Sequence, residues 1–269
     1  MTETCRIGIV GCAGRMGRML LAETLAAPAA TLAGGSGRLP GGAAAQDLGL
    51  LAGGAPLGLT VTNDVEALFR ASDVVIDFTV PGASVAHADL AAKLGKGLVI
   101  GTTGLSGQEM AAVEKAAAHS PVVWAPNMSL GVNLLLGLVE QVAGMLKDDW
   151  DIEIVEMHHR NKVDAPSGTA LGLGRAAAKG RGVELDEVWV KSRDGLTGAR
   201  QAGSIGFATL RGGDVIGDHT VVFAGNAERV ELTHKATDRR VFARGAVRAA
   251  LWLKGKPAGL YGMKDVLGL

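Results

Sequence analysis

Arg6 to Val10 is a short apolar run that passes directly into G-C-A-G-R-M-G, Gly11 to Gly17, and then into the helix-like stretch Leu20 to Ala27. Strand, glycine turn and helix in immediate succession leave a chain few options. Each glycine has its own task. Gly11 makes the tight turn, Gly14 lets the backbone approach a pyrophosphate, and Gly17 permits close packing of helix on strand. The phosphates then sit at a helix start, where N–H groups and the positive end of the dipole favour an anion. The spacing is G-x-x-G-x-x-G, not the commoner G-x-G-x-x-G, and Arg15 places a cation at the helix start, for a phosphate or for solvent.

The same alternation continues. Ala30 to Gly35 reads as a second strand, and Ser36 to Gly42 as the loop after it. In dinucleotide sites this loop chooses the cofactor, an acid binding the ribose 2′-OH of NAD and an arginine accommodating the 2′-phosphate of NADP. Here Gly37 and Arg38 stand there, which favours NADPH with NADH as a second option; the bland reading of Arg38 is a surface charge. Leu59 to Thr62, Asp73 to Thr79, Gly97 to Gly104 and Val122 to Asn127 read as further strands, separated by helices over Val65 to Ala71, Ser84 to Leu94 and Gln108 to His119. Strands alternating with helices predict a parallel sheet covered on both faces, with ligands at the carboxyl ends of the strands. Phe78-Thr79, Gly101 to Thr103 and Ala125 to Asn127 fall at those ends.

Beyond this the texture changes. A long helix over Leu130 to Lys147 leads out of the first domain, and Leu130, Leu134, Leu138, Val142 and Met145 recur along it at helical spacing. Asp151 to Met157 alternates like a strand, Gly168 to Lys179 is helical, and Glu187 to Ala236 carries strands with turns at Gly212 to Asp214 and Gly225-Asn226. The fold expected is therefore α/β. It comprises a Rossmann-like parallel-sheet domain over 1–128 and 238–269 and an α+β substrate and oligomerisation domain with a mainly antiparallel sheet over 129–237. A sheet with one helix layer leaves a face to cover, so self-association is expected.

Composition narrows the function. Lys plus Arg and Asp plus Glu are 27 each, so no net field recruits nucleic acid or an anionic membrane, and aromatics at 4% offer few platforms for bases. The most apolar stretch, Met128 to Leu146, carries Asn133, Glu140 and Gln141 and reads as a partly buried helix, not a membrane span. No secretion signal is read at the N-terminus. Cys5 and Cys12 lie too far apart along one strand to bridge, so a cytoplasmic protein with reduced thiols is expected, and neither is placed to serve as a nucleophile beside the histidines.

The chemistry concentrates between Glu153 and Ala170, EIVEMHHRNKVDAPSGTA. His158 and His159 would point to opposite faces if the strand continued through both, and the basic run Arg160 to Lys162 predicts that it ends there. Lys162 is a candidate for a carboxylate contact and for a proton donor, because a desolvated lysine loses basicity; the alternative is a surface lysine paired with Asp164. Pro166 suits the first turn of a helix and Ser167 its cap, which aims the N–H groups of Gly168 and Thr169 at an anion. Adjacent histidines without cysteine or an H-E-x-x-H pattern do not make a zinc site, so no metal is expected.

The run E-M-H-H-R-N-K-V-D-A-P-S-G-T-A closely resembles the signature of the 4-hydroxy-tetrahydrodipicolinate reductase family, long called dihydrodipicolinate reductase. G-C-A-G-R-M-G, I-D-F-T, G-T-T-G, S-I-G-F-A-T, E-L-T-H-K-A and G-A-V-R-A-A-L-W-L follow in the family's order and carry the resemblance along essentially the whole chain. The resemblance implies NAD(P)H-dependent reduction of a small dicarboxylate cyclic imine in the diaminopimelate route to lysine, by a cytoplasmic homotetramer whose antiparallel sheets meet at its centre. It implies that His158 gives or takes a proton, that Lys162 donates one, and that His159, Gly168 and Thr169 hold the substrate carboxylates. Cofactor contacts carry over to Gly11, Cys12, Ala13, Gly14, Arg15, Met16, Arg38, Gly101, Thr102, Thr103, Ala125, Pro126, Asn127 and Met128. Catalysis is expected to need domain closure, with hinges near Asn127 to Leu130 and Ala236 to Arg239. The chain departs from the family at Gly37, where an acid is expected, and at Val80, where an arginine is. The first departure agrees with NADPH.

Overall fold

The structure, a computed structural model, describes residues 4–37 and 46–269. It opens with β1 (Cys5–Val10), α1 (Arg15–Ala26) and β2 (Ala30–Ser36). Then come α2 (Leu48–Leu51), α3 (Val65–Ala71), β3 (Val74–Asp77), α4 (Pro81–Leu94), β4 (Gly97–Ile100), α5 (Gly107–Ala117) and β5 (Pro121–Trp124). After α6 (Leu130–Leu146) follow β6 (Asp151–His158), α7 (Gly168–Arg181), α8 (Leu185–Val188), β7 (Trp189–Val190), β8 (Ile205–Arg211), β9 (Gly217–Gly225) and β10 (Glu228–Ala236). The chain closes with α9 (Arg240–Leu253), β11 (Gly259–Tyr261) and α10 (Met263–Leu267). Two compact units result, one of the described residues up to Leu130 together with Arg240–Leu269, the other Gly131–Arg239.

The first unit is the expected Rossmann-like sheet, six parallel strands in the order β11-β5-β4-β3-β1-β2. Every residue of β3 and β4 is buried, as a strand covered on both faces requires. The helices begin and end where local chemistry dictates. Ser106 and Glu109 form a capping box at α5, Pro81 opens α4, and Gly95 closes α4 in the left-handed conformation. Strand order reverses between β1 and β3, so their carboxyl ends frame a ligand crevice. Leu59 to Thr62, read above as a strand, makes only isolated bridges, because Thr60 pairs with Asp47 and Thr62 with Ser36 and no single partner extends the ladder.

The second unit is a five-stranded sheet, β10-β9-β6-β8-β7. β9 is antiparallel to both β10 and β6, while β8 is parallel to β6 and to β7, so the sheet is mixed. The cause is α7, a crossover that returns the chain to β6 in the same direction. β6 alternates between half-buried and buried residues, and Ile152 and Ile154 pack with Leu173, Ala177, Val221 and Phe223. α6 is partly buried, as expected, and of the apolar residues noted at helical spacing Leu130 and Val142 are half-buried. Leu134, Leu138 and Met145 are exposed, and Val132, Leu135, Val139 and Ala143 are buried instead. α6 is apolar nearly all round, so its own pattern does not select a face.

Candidate active site

In the first unit the turn after β1 leads into an uncapped helix start. Gly11 is left-handed at φ 70°, a conformation that favours glycine, and its carbonyl accepts the Gly14 N–H at 3.0 Å. Gly14 is the N-cap of α1 and has no side chain with which to satisfy the first N–H groups, so the helix start fits a dinucleotide's pyrophosphate. Arg15 is exposed, Met16 is half-buried against the core, and the Ala13 carbonyl accepts from Arg18 Nε at 3.1 Å. Three of the residues expected to contact the cofactor, Cys12, Ala125 and Met128, are buried as whole residues in the core, and the Met128 carbonyl packs against Gly245. Burial pushes the Cys12 thiol up to about 11, so it packs and does not act as a nucleophile. Arg38 lies outside the described residues; Gly37, beside it, is half-buried.

The loops after β3 and β4 are one hydrogen-bonded assembly. Asp77 is fully buried, and its Oδ1 accepts from the Thr79 N–H at 2.8 Å and the Thr79 hydroxyl at 2.6 Å. The Thr79 N–H also reaches Thr102 Oγ1 at 3.1 Å, and His87 Nδ1 stands 2.8 Å from Asp77 Oδ2. Phe78 lies so close over Gly101 that any Cβ there would strike its ring. Thr103 and Pro126 are exposed, and Asn127 Oδ1 accepts the Ser129 N–H at 2.9 Å. Val80 is exposed at the start of α4 and makes no side-chain cap.

In the second unit β6 ends at His158, and its two-residue period turns Glu156 and His158 to the same buried face. His158 Nδ1 lies 2.6 Å from Glu156 Oε2. Arg211 donates to both carboxylate oxygens, at 2.8 and 2.9 Å, and the Ser167 N–H donates to Oε1 at 3.0 Å. Burial raises the Glu156 carboxyl, but Arg211, His158 and the Ser167 N–H together hold it below the ordinary carboxylate range. Burial lowers the basicity of His158 against the pull of Glu156, and the nearby Lys162 and Arg211 charges act in the same direction as burial.

Lys162 Nζ donates to both Asp164 oxygens, at 2.8 and 3.0 Å, and its side chain is only 20% exposed. The Asp164 pairing is thus present, and the same ammonium lies near enough to His158 to disfavour its protonation. The His159 N–H donates to the Val215 carbonyl at 2.7 Å, and the residue borders an open depression shared with Arg160, Asn161, Asp214 and Arg239. Arg239 directs its guanidinium to His159 Nε2 at 3.5 Å. Ser167 caps α7, its Oγ accepting the Ala170 N–H at 3.1 Å, and Gly168 and Thr169 are the first two helical residues. Pro166, expected in the first turn, precedes the cap, because the Ser167 N–H is committed to Glu156 and the helix begins after it.

Three members of this cluster were not singled out from sequence. Glu156 had a signal, an E-x-H spacing on an alternating strand. Arg211 and His219 had none, since they arrive through pairing, Arg211 opposite His158 and His219 opposite Glu156. His219 is 3% exposed, stands 3.0 Å through Nε2 from Ser167 Oγ, and meets His158 edge to face at 5.0 Å. Burial, with His158 adding to it, lowers His219 to about 4. Among the described residues no group of three His, Cys, Asp or Glu side chains is placed to hold a metal, and no helix is long and apolar enough to cross a membrane.

A parallel sheet with a glycine turn at an uncapped helix start, joined in sequence to a unit that sets histidine, lysine and a helix start together, is the arrangement of a dinucleotide-dependent oxidoreductase. Residues 5–128 match the family described as "Dihydrodipicolinate reductase, N-terminus" and residues 131–267 that described as "Dihydrodipicolinate reductase, C-terminus". The chain is 54% identical over 269 residues to a 4-hydroxy-tetrahydrodipicolinate reductase of Ruegeria sp. (strain TM1040), covering 100% of both chains. It is 55% identical to that of Afipia carboxidovorans, covering 98% of this chain and 97% of the relative. The solved structure of dipicolinate-bound dihydrodipicolinate reductase from Paenisporosarcina sp. TG-14 superposes with a TM-score of 0.79 at 25% identity, over 98% of this chain and 99% of that one. The chain belongs to the dihydrodipicolinate reductase family.

Proposed function

We propose that this enzyme reduces 4-hydroxy-tetrahydrodipicolinate, through its dehydrated cyclic imine, to tetrahydrodipicolinate, and that it prefers NADPH. The observation that supports the reading is the hydrogen-bonded cluster within the signature run, where Glu156 links His158 to the Ser167 N–H before α7 and the Lys162 charge lies near His158. The bound nicotinamide supplies hydride to the ring conjugated with the C=N bond. Addition there leaves an enamine, whose carbon takes a proton, so that each turnover consumes one NADPH and one proton. Lys162 is the source of that one proton and supplies cationic charge, and His158 exchanges the same proton with the ring. His159 and the N–H groups of Gly168 and Thr169 hold the carboxylates, where the helix dipole offsets their charge. A dicarboxylate ring is bound in the relative from Paenisporosarcina sp. TG-14, which supports a dicarboxylate here.

In the first unit the proposal assigns the pyrophosphate to Gly11 through Met16 and the nicotinamide side to Gly101 through Thr103 and Ala125 through Met128. Arg38 is assigned the 2′-phosphate, with Gly37 leaving no acid to repel it. We also place the enzyme in the cytoplasm as a homotetramer. The sheet face opposite α7 supports assembly, because Val155, Met157, Ala208, Leu210 and Val222 lie on it in register and Leu210 is 50% exposed. Light scattering that returns a monomer rejects the tetramer.

The deciding assay is NADPH oxidation with substrate generated fresh from pyruvate and aspartate semialdehyde, repeated with NADH and with Lys162→Ala. Turnover by the wild type, faster with NADPH and lost in the variant, is expected. Normal NADPH binding without turnover identifies a silent nucleotide sensor.

A further inference from the structure

Glu156 is a buried acid that the proposed chemistry does not use, yet it joins more of the cluster than any other side chain. It sits on β6 two residues before His158, accepts from Arg211 on β8, and accepts the Ser167 N–H just before α7. We propose that Glu156 is the positioning residue of the reaction, fixing His158 with its proton on Nδ1 so that Nε2 is the nitrogen that exchanges a proton with the substrate. This rests on the assignment of His158 as the proton-exchanging group.

The hydrogen-bond inventory leads to this arrangement. An ionised carboxylate only accepts, so the imidazole nitrogen 2.6 Å from Oε2 must be the donor. Nδ1 therefore carries a proton in the neutral ring, and Nε2 carries the lone pair. Glu156 does not need the histidine for its own sake. The Arg211 fork and the Ser167 N–H already engage both oxygens, so the contact acts mainly on the orientation of His158. A contact that held only buried polar groups together would not select one nitrogen. Space points the same way, because Gly217 is bare beside the other nitrogen and a Cβ there would come within 2.9 Å of Nε2. The charged and titratable groups facing His158 are Glu156 on its own strand, Lys162 in the following loop, Arg211 on β8 and His219 on β9. Of these only Glu156 favours the imidazolium, so it also keeps the ring able to take the proton it returns.

The test begins with the unmodified enzyme. Nitrogen-15 NMR of histidine-labelled protein above neutral pH, with His158 assigned from the signals lost in His158→Gln, is expected to show the Nδ1–H tautomer. The Nε2–H tautomer in the wild type overturns the proposal without any appeal to a variant's folding. Glu156→Gln is expected to mix the tautomers and lower kcat by about 100-fold. KM and NADPH affinity should change by less than about threefold, and the His158 limb of the pH profile should move to lower pH. Glu156→Asp, which keeps the charge, should recover part of the rate. Full turnover by His158→Gln overturns the role of His158 itself. Lost turnover in His158→Gln, combined with unchanged turnover and an unchanged tautomer in Glu156→Gln, overturns the positioning role alone.

Discussion

Gly17 rests directly on Gly11: a Cβ added to Gly17 would lie 2.2 Å from the Gly11 carbonyl oxygen and 2.6 Å from Cys12 Cα. Backbone cannot yield as a flexible side chain does. Gly17→Ala must therefore lift α1 from the turn, costing about 1–3 kcal/mol and weakening NADPH binding by at least about tenfold. Gly14→Ala is the control, since its Cβ would meet nothing nearer than the Gly11 oxygen at 3.3 Å and the fold should change little. Thermal melts of the two variants make the comparison, because Gly14 is itself assigned to the pyrophosphate; equal losses of stability would show that close packing is not what Gly17 supplies.

Cofactor choice should be movable at Gly37. A Cβ there would find ordinary contacts, the nearest being the Ala13 nitrogen at 3.5 Å, so Gly37→Asp should fold normally. An acid at this position favours the ribose 2′-OH and repels a 2′-phosphate. The ratio of kcat/KM for NADPH over NADH is expected to fall by at least about tenfold, by roughly 1.4 kcal/mol of discrimination. An unchanged ratio would remove the loop after β2 from the account of specificity.

His219 makes the fold sensitive to acid. Its folded value of about 4 lies below the ordinary 6.5, so between those values the unfolded chain binds the proton and the native one resists it. Its contribution is present in full above pH 6.5 and is lost as pH falls to 4, by about 3 kcal/mol at most. His219→Gln keeps a partner for Ser167 and should flatten that part of the stability curve in urea denaturation at pH 7 and pH 4.5. If both proteins lose the same stability, another group governs.

Arg211 is predicted to matter more for stability than a half-exposed arginine does. Glu156 is 1% exposed, and Arg211→Met leaves its charge without its main cation. A cost of about 3 kcal/mol is expected by chemical denaturation, with much of it recovered in the double variant Glu156→Gln/Arg211→Met. Additive losses would mean that the two side chains act independently.

Much of this was readable along the chain. The three glycines from Gly11 to Gly17 announce a strand, a turn and a helix because their tasks are local, and all three elements are found. The Ser167 cap was readable for the same reason, and so was the burial of β6 on one side, since a strand's period is fixed by its own backbone. Pro166, expected in the first turn, stands two residues before the first helical residue, because the acceptor of the Ser167 N–H, Glu156, is eleven residues away.

What the sequence by itself determined, then, is the kind of most elements, though not of Leu59 to Thr62, and the family to which the whole belongs. Periodicity, caps and turns are short-range properties, and a motif of fifteen residues is written in order. Tertiary structure decided which partner each element took. It chose the face α6 buries, made β8 parallel to β6 through α7, and brought Arg211 and His219 to a pair of residues already two apart on one strand. It also closed Asp77, Thr79, Thr102 and His87 into one assembly. Those choices depend on burial summed over distant segments and on the need of each buried charge or donor for a partner, and neither quantity exists until the chain has closed on itself.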